Sequence, residues 1–231
     1  MDIDDALATT RAVRKRLDPS RDVPVELIRE CVELAMQAPA GSAIARTRFV
    51  VVRDPDQRKG LAEIYSDIYQ NTYRESAGYI GRVHRADPEE ARMQQRTAQS
   101  ADALERALHD VGTIVIGCLD GARLDGVPSL VSTALLGGVL PAMWSFMLAA
   151  RARGLGTCWT TTHLARERDV AALLDIPFDR VQQVCLTPLA WTVGTDFRRA
   201  TRPAVDEVVH WDRWEAERDG APSLRGMLDS H

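Results

Sequence analysis

Residues 130–150, LVSTALLGGVLPAMWSFMLAA, carry no charged side chain and form the most apolar stretch of this 231-residue chain. A helix that is apolar nearly all round needs cover on every side, from its own core, from a partner subunit or from lipid. Gly137, Gly138 and Pro141 interrupt the run, it leads straight into RARG, and no second such segment follows. These features favour a helix over about residues 129–153, buried in a soluble core with a partner subunit completing its cover. Pro141 removes the bond to the Gly137 carbonyl, which predicts a kink. Gly154 suits the position just past the helix end.

The rest of the chain is ordinary for a globular protein, with 45% hydrophobic and 27% charged residues. Its net charge of −4 argues against a broad electrostatic footprint on nucleic acid. Cys31, Cys118, Cys158 and Cys185 are far apart and form no C-x-x-C pair. They read as buried free thiols in a reducing, cytoplasmic compartment. The acidic start MDIDDALATT lacks the apolar core of a signal peptide.

Periodicity places a helix in DVPVELIRECVELAMQAP, with Pro24 in its first turn and Pro39 and Gly41 stopping it. RFVVV is a strand, residues 56–110 are mostly helical, and YSDIYQNTYRESAGYIGRVHRADPEE is their least regular part. Further strands are expected in TIVIGCLDG, LGTCWTTT and VQQVCLTPLAWTV, with a short helix in ARERDVAALLDIP. Pro188 calls for an edge position or a bulge in the last strand. The tail GTDFRRATRPAVDEVVHWDRW reads as extended. This order predicts an α+β fold, a mixed central sheet covered by helices, in a single domain over residues 1–231.

No dinucleotide fingerprint, nucleotide-triphosphate loop or nucleophile elbow is present. His84, His109, His163, His210 and His231 match no zinc spacing. With neither a nucleophile nor a metal marked, demanding chemistry falls to a bound organic cofactor. Two arginine-rich stretches lie at opposite ends: Arg11, Arg14, Lys15 and Arg16, then Arg198, Arg199 and Arg202. Either could be a solvated face; a phosphate group accounts for both if the fold brings them together. Arg16 is assigned to solvent. Between them lie APAGSAIARTRF, small enough for a flat ring to approach backbone N–H groups, and the three hydroxyls of Thr160, Thr161 and Thr162.

TTRAVRKRLD, LIRECVELAMQAPAGS…RFVVV, LPAMWSFMLAARARGLGTCWTTTHL and DFRRATRPAVDEVVHWDRW occur in this order. Together they resemble the FMN-dependent nitroreductase superfamily over almost the whole chain. The resemblance implies a nitroreductase-like fold with a C-terminal extension, and a homodimer with two FMN sites at the subunit interface. It also implies a variable substrate lid, about residues 65–105. The family's R-S-x-R phosphate motif falls on Arg11, Ala12, Val13 and Arg14, with alanine in place of serine. Lys15 falls near the flavin pyrimidine edge. The loop of type P-S-G-S-N-x-Q-P-W falls on Pro39, Ala40, Gly41 and Ser42, then Ala43, Ala45 and Thr47 where Asn, Gln and Trp are usual. Thr160 and Thr161 match the contact strand and Arg202 the C-terminal phosphate arginine, with Arg198 or Arg199 in support.

The activity implied is a ping-pong flavin-dependent oxidoreductase passing electrons from NAD(P)H to a small organic acceptor, with no nucleic acid or membrane partner. The departures at positions 43, 45 and 47 leave two alternatives. One is a flavin-sequestering protein without turnover. The other is a specialised member that uses another reductant or acts on flavin itself.

Overall fold

The computed structural model describes residues 1–40, 46–76, 78–82, 87–121 and 123–214. Helix α1 (Ile3–Thr9) starts at Asp2, whose carboxylate accepts from the Asp5 N–H at 2.8 Å. Strand β1 (Leu17–Asp18) is two residues long, and helix α2 (Val25–Ala35) buries Ile28, Cys31 and Ala35 on one helical face. Strand β2 (Thr47–Val52) leads to helix α3 (Pro55–Ile68), capped by Asp54 and continued by a π-helical turn, Tyr69–Tyr73. The stretch expected to be least regular therefore begins as well-formed helix, because Tyr65 and Tyr69 are buried there and hold the turns together. Asp87 caps helix α4 (Pro88–Ala107), which precedes strand β3 (Thr113–Asp120). Helix α5 (Ser129–Ala152), strand β4 (Leu155–Thr157), helix α6 (Glu167–Leu173), strand β5 (Val181–Thr192) and helix α7 (Val205–Val208) complete the described elements.

The sheet runs β1-β5-β3-β2, and β4 pairs with β5 as well. These ladders are all antiparallel; the parallel component is the isolated bridge Ala12↔Thr157. Alternation along β3 decides the layering. Ile114, Ile116 and Cys118 join Leu61, Tyr65, Tyr69 and Val170 of α3 and its extension and α6 on one face. Val115 on the other face meets Ile28 and Cys31 of α2 with Phe146 and Met147 of α5. Both faces are buried, so the two central strands read as near-continuous apolar runs.

Helix α5 continues through Pro141, and Gly154 follows it with φ +80°, as its place after the helix predicts. Val139, Met143, Phe146 and Ala150 are fully buried, whereas Leu130 is 82% exposed and Trp144 39%. Its own chain thus covers only part of this apolar helix. By length and composition α5 is also the one helix among the described residues that could cross a membrane.

Pro188 sits neither on an edge strand nor at the register shift, which lies between Gly117 and Cys118 on β3. Strand β5 is interior, but its ladder with β4 stops at Thr157↔Leu189 and resumes only as the single bridge Thr160↔Leu186. Pro188 falls in that interruption, where the Thr187 hydroxyl takes the Cys158 N–H at 3.0 Å. The third expected strand is accordingly short, ending at Thr157, and Thr162–Arg166 forms a 3-10 helix. The tail is extended only in part, since α7 interrupts it.

Candidate functional site

The basic stretch lies beside the edge of β4. The Val13 N–H donates to the Thr157 carbonyl at 2.8 Å, and Val13 and Leu17 are buried. Gly156 makes this approach possible, because a Cβ there would lie 2.9 Å from Val13 Cγ1. With the apolar residues turned inward, five cationic side chains border one cavity: Arg11, Arg14, Lys15, Arg16 and Arg198. The cavity measures about 330 Å³, and Asp196 is the single carboxylate among the residues that line it. Arg11 donates to the Arg198 carbonyl at 3.0 Å, and the charge of Arg14 acts on the Cys158 thiol. Burial raises the pKa of that thiol despite the arginine beside it. Among the described residues Arg11, Arg14 and Lys15 form no ion pair. Cations gathered at one cavity without an ion-pair partner suit an anion.

Arg16, though about a third exposed, is not simply a solvated cation. It donates to the Val193 carbonyl and to Asp196, both at 2.7 Å, and its guanidinium lies 4.4 Å from the Phe197 ring. Arg151, 6% exposed, also stands 4.4 Å from that ring. Burial first, then the charge of Arg16, lowers the Arg151 pKa. Together they fasten residues 193–198 over the cavity and fix the carbonyl that orients Arg11. Sequence alone does not reveal this clamp, because the partners of Arg16 lie 177 or more positions away.

Two of the threonine hydroxyls form a small network with Tyr65. Thr160 Oγ1 lies 3.1 Å from the Tyr65 hydroxyl, and Thr162 Oγ1 donates to that hydroxyl at 3.4 Å. Burial raises the Tyr65 pKa, so the phenol stays protonated. Thr161 is exposed, and its carbonyl accepts from the Leu164 N–H at 2.9 Å. Tyr65 was not singled out from the sequence. The signal that could have found it is the i, i+4, i+8 spacing of Tyr65, Tyr69 and Tyr73.

The structure brings Arg11, Ala12, Arg14, Lys15 and Arg198 to one cavity. Arg199 is exposed and is not among that cavity's lining, and Arg202 borders a separate groove with Met93 and Arg96 of α4. Pro39 and Ala40 are exposed; Ala40 Cα stands 3.8 Å from where a Cβ on Gly138 of α5 would be. Gly41, Ser42, Ala43 and Ala45 lie outside the described residues. Thr47 begins β2 and is 5% exposed. The expected lid region holds the end of α3, the π-helical turn and α4. Among the described residues no His, Cys, Asp and Glu cluster is placed to hold a metal ion.

The model of the nitroreductase family matches residues 7–194. The chain belongs to that family. The match takes in the sheet and the Arg11–Arg16 stretch and stops before Asp196, so the nitroreductase model does not reach the arginines of the tail. Protein DrgA of Synechocystis sp. is 29% identical over 159 residues, spanning 68% of this chain and 70% of DrgA. An oxidised iodotyrosine deiodinase, solved with FMN and 3-iodo-L-tyrosine, shares the fold with TM-score 0.68 at 16% identity. That alignment covers 92% of this chain and all of that one. A BluB-like flavoprotein from Clostridium difficile 630 aligns over the same shares with TM-score 0.65 at 16% identity. Flavoproteins are thus among the structures that share this nitroreductase fold.

Proposed function

We propose that the protein is an FMN-dependent oxidoreductase that carries electrons from NAD(P)H to a small organic acceptor in a ping-pong cycle. The observation that carries this is the cavity beside β4, which Arg11, Arg14 and Lys15 line without an ion-pair partner among the described residues. Its donor set fits a terminal phosphate: Arg offers paired N–H groups at the geometry of phosphate oxygens. Arg11 and Arg14 would hold that phosphate, with Lys15 at the ring edge and Arg198 alongside. FMN, when bound, supplies the hydride-accepting and hydride-donating chemistry that no side chain here offers. The chain's own part is positioning. Arg16 and Phe197 hold the strap that orients Arg11, and the Tyr65 hydroxyl fixes Thr160 under the ring site. Such fixed donors stabilise negative charge without reorganising.

Ala40 lies beside α5, and neither Pro39 nor Ala40 lines the arginine cavity. A homodimer would reconcile these positions, with the loop of one subunit completing the cavity of the other. The uncovered face of α5 supports it, as do Val205, Val208, Trp211 and Trp214 on the tail, all at least 61% exposed. We expect a dimer with an interface above about 2,000 Å². Trp144→Glu should shift it to monomer in analytical ultracentrifugation; a wild-type monomer at micromolar concentration would contradict the assembly. The four buried free cysteines support a reducing, cytoplasmic setting.

The test of function is anaerobic stopped-flow absorbance. NADPH or NADH should bleach the bound flavin, and a quinone or nitroaromatic acceptor should restore its colour. The alanines at positions 43 and 45 favour a second reading, in which FMN is held without turnover. Flavin that binds but is reduced by neither nucleotide would select it.

A further inference from the structure

All four tyrosines of the chain lie in one cluster. The Tyr65 and Tyr69 rings stack at 6.2 Å and 12°, and Tyr69 stands 5.4 Å from Tyr73 and 6.4 Å from Tyr79. Tyr73 and Tyr79 meet edge to face at 5.4 Å. The π-helical turn at Tyr69–Tyr73 helps to bring the rings together, and such turns recur at functional sites. One end of the series is the Tyr65 hydroxyl at Thr160; the other is the half-buried Tyr73 of the lid region.

Packing explains the rings but not their hydroxyls. Tyr69 and Tyr79 both donate to Asp102 Oδ1, at 2.8 and 3.2 Å. Among the described residues Asp102 forms no ion pair, and the two phenols share one of its oxygens. Burial and the Asp102 carboxylate both raise the pKa values of Tyr69 and Tyr79, which keeps the phenols protonated. A phenol that loses an electron becomes a strong acid. A buried tyrosine is therefore oxidised readily only where a base takes its proton, and Asp102 is that base.

We propose that the four tyrosines form a one-electron relay between the Tyr65–Thr160 hydroxyl pair and the lid surface, with Asp102 as its proton acceptor. It rests on the flavin reading above for its oxidant, a light-excited oxidised isoalloxazine ring. Tyr65 would give that ring one electron and regain one from Tyr69, while the Tyr69 phenolic proton passes to Asp102 Oδ1. The balance is one electron from Tyr69 to the ring and one proton from Tyr69 to Asp102, leaving a neutral tyrosyl radical. Tyr79, bonded to the same oxygen, and the half-buried Tyr73 edge-on to it extend the relay to the lid surface. A thiol-class reductant at the lid surface returns the electron, and Asp102 returns the proton.

Two arms test this on the full chain. In the first, without flavin, azidyl radicals oxidise the protein and freeze-quenched electron paramagnetic resonance reports the radical. A neutral tyrosyl signal is expected, lost in Tyr69→Phe and diminished in Asp102→Asn, with circular dichroism confirming that the variants fold. A signal unchanged in Tyr69→Phe would overturn the relay, and this ring-preserving variant decides the matter should Asp102→Asn unfold. In the second arm, with FMN bound, flash excitation should give the same radical and quenched flavin emission, with Tyr65→Phe restoring the emission. Unquenched emission in the wild type would overturn the link to the pocket. Absence of FMN binding by calorimetry would instead reject the flavin reading, and with it the proposed oxidant, while the first arm still judges the tyrosines and Asp102.

Discussion

Arg11→Ala should weaken the proposed FMN binding by about 1.5–3 kcal/mol, the range for hydrogen bonds to a charged group. At about 1.4 kcal/mol per decade this is roughly 10- to 150-fold in affinity. Arg14→Ala should cost a similar amount, and the double variant less than the sum, because both side chains share one charged ligand. Arg16→Ala tests the clamp. Its guanidinium is committed to Val193, Asp196 and Phe197, so its removal acts by loosening the strap that carries the Arg198 carbonyl. Phe197→Ala should reproduce that loss without removing any charge, which separates positioning from a diffuse positive field. Arg202→Ala, on a separate groove, should cost less than Arg11→Ala. Calorimetric titration of the variants checks the order. Equal losses for Arg11→Ala and Arg202→Ala would mean that the tail re-seats over the cavity when FMN binds.

His163 should make the fold sensitive to mild acid. It is fully buried, and neither ring nitrogen meets a hydrogen-bond partner among the described residues. Burial lowers its pKa from 6.5 to about 4. Between those two values the unfolded chain binds a proton that the folded chain refuses, so stability rises with pH across the window. The contribution is fully present above the unfolded value and is lost as pH falls towards the folded one, by about 3 kcal/mol in total. Urea unfolding of the wild type and His163→Leu, at neutral pH and at pH about 4.5, isolates it, because the titrating carboxylates cancel in the difference. The wild type should lose more stability than the variant. Equal losses would show that His163 charges inside the fold, through internal water or local opening. Since leucine also removes two unsatisfied polar atoms, it should not destabilise the protein at neutral pH by more than its packing mismatch.

Much of the fold was written locally. The apolar faces of α2 and α5, the β-branched runs of β2 and β3, and Gly154 after α5 each state their own conformation through periodicity or backbone freedom. The short basic stretch likewise offered an anion site, with a solvated face as the alternative, because four cations fall within six positions. The sequence set Arg16 apart from Arg11 and Arg14, but it could not say what Arg16 would hold. Only the return of the chain at Asp196 and Phe197 gives Arg16 its partners and makes it a fastening for the strap at the cavity's border.

The same holds for proline and tyrosine. Pro188 marked a strand as an edge, and tertiary structure instead placed it inside the sheet, opposite an interruption in the neighbouring ladder. Tyr65, Tyr69 and Tyr73 carried helical spacing in sequence, but Asp102 on α4, the acceptor they share with Tyr79 in part, was not marked. Local propensity and periodicity are short-range properties, set by a residue and its neighbours within a turn or two, and these the sequence determined by itself. Charge balance, ladder pairing and hydrogen-bond satisfaction are settled between groups far apart along the chain. Only the tertiary structure decided which arginines stay uncompensated, which proline is tolerated and which phenols meet a base.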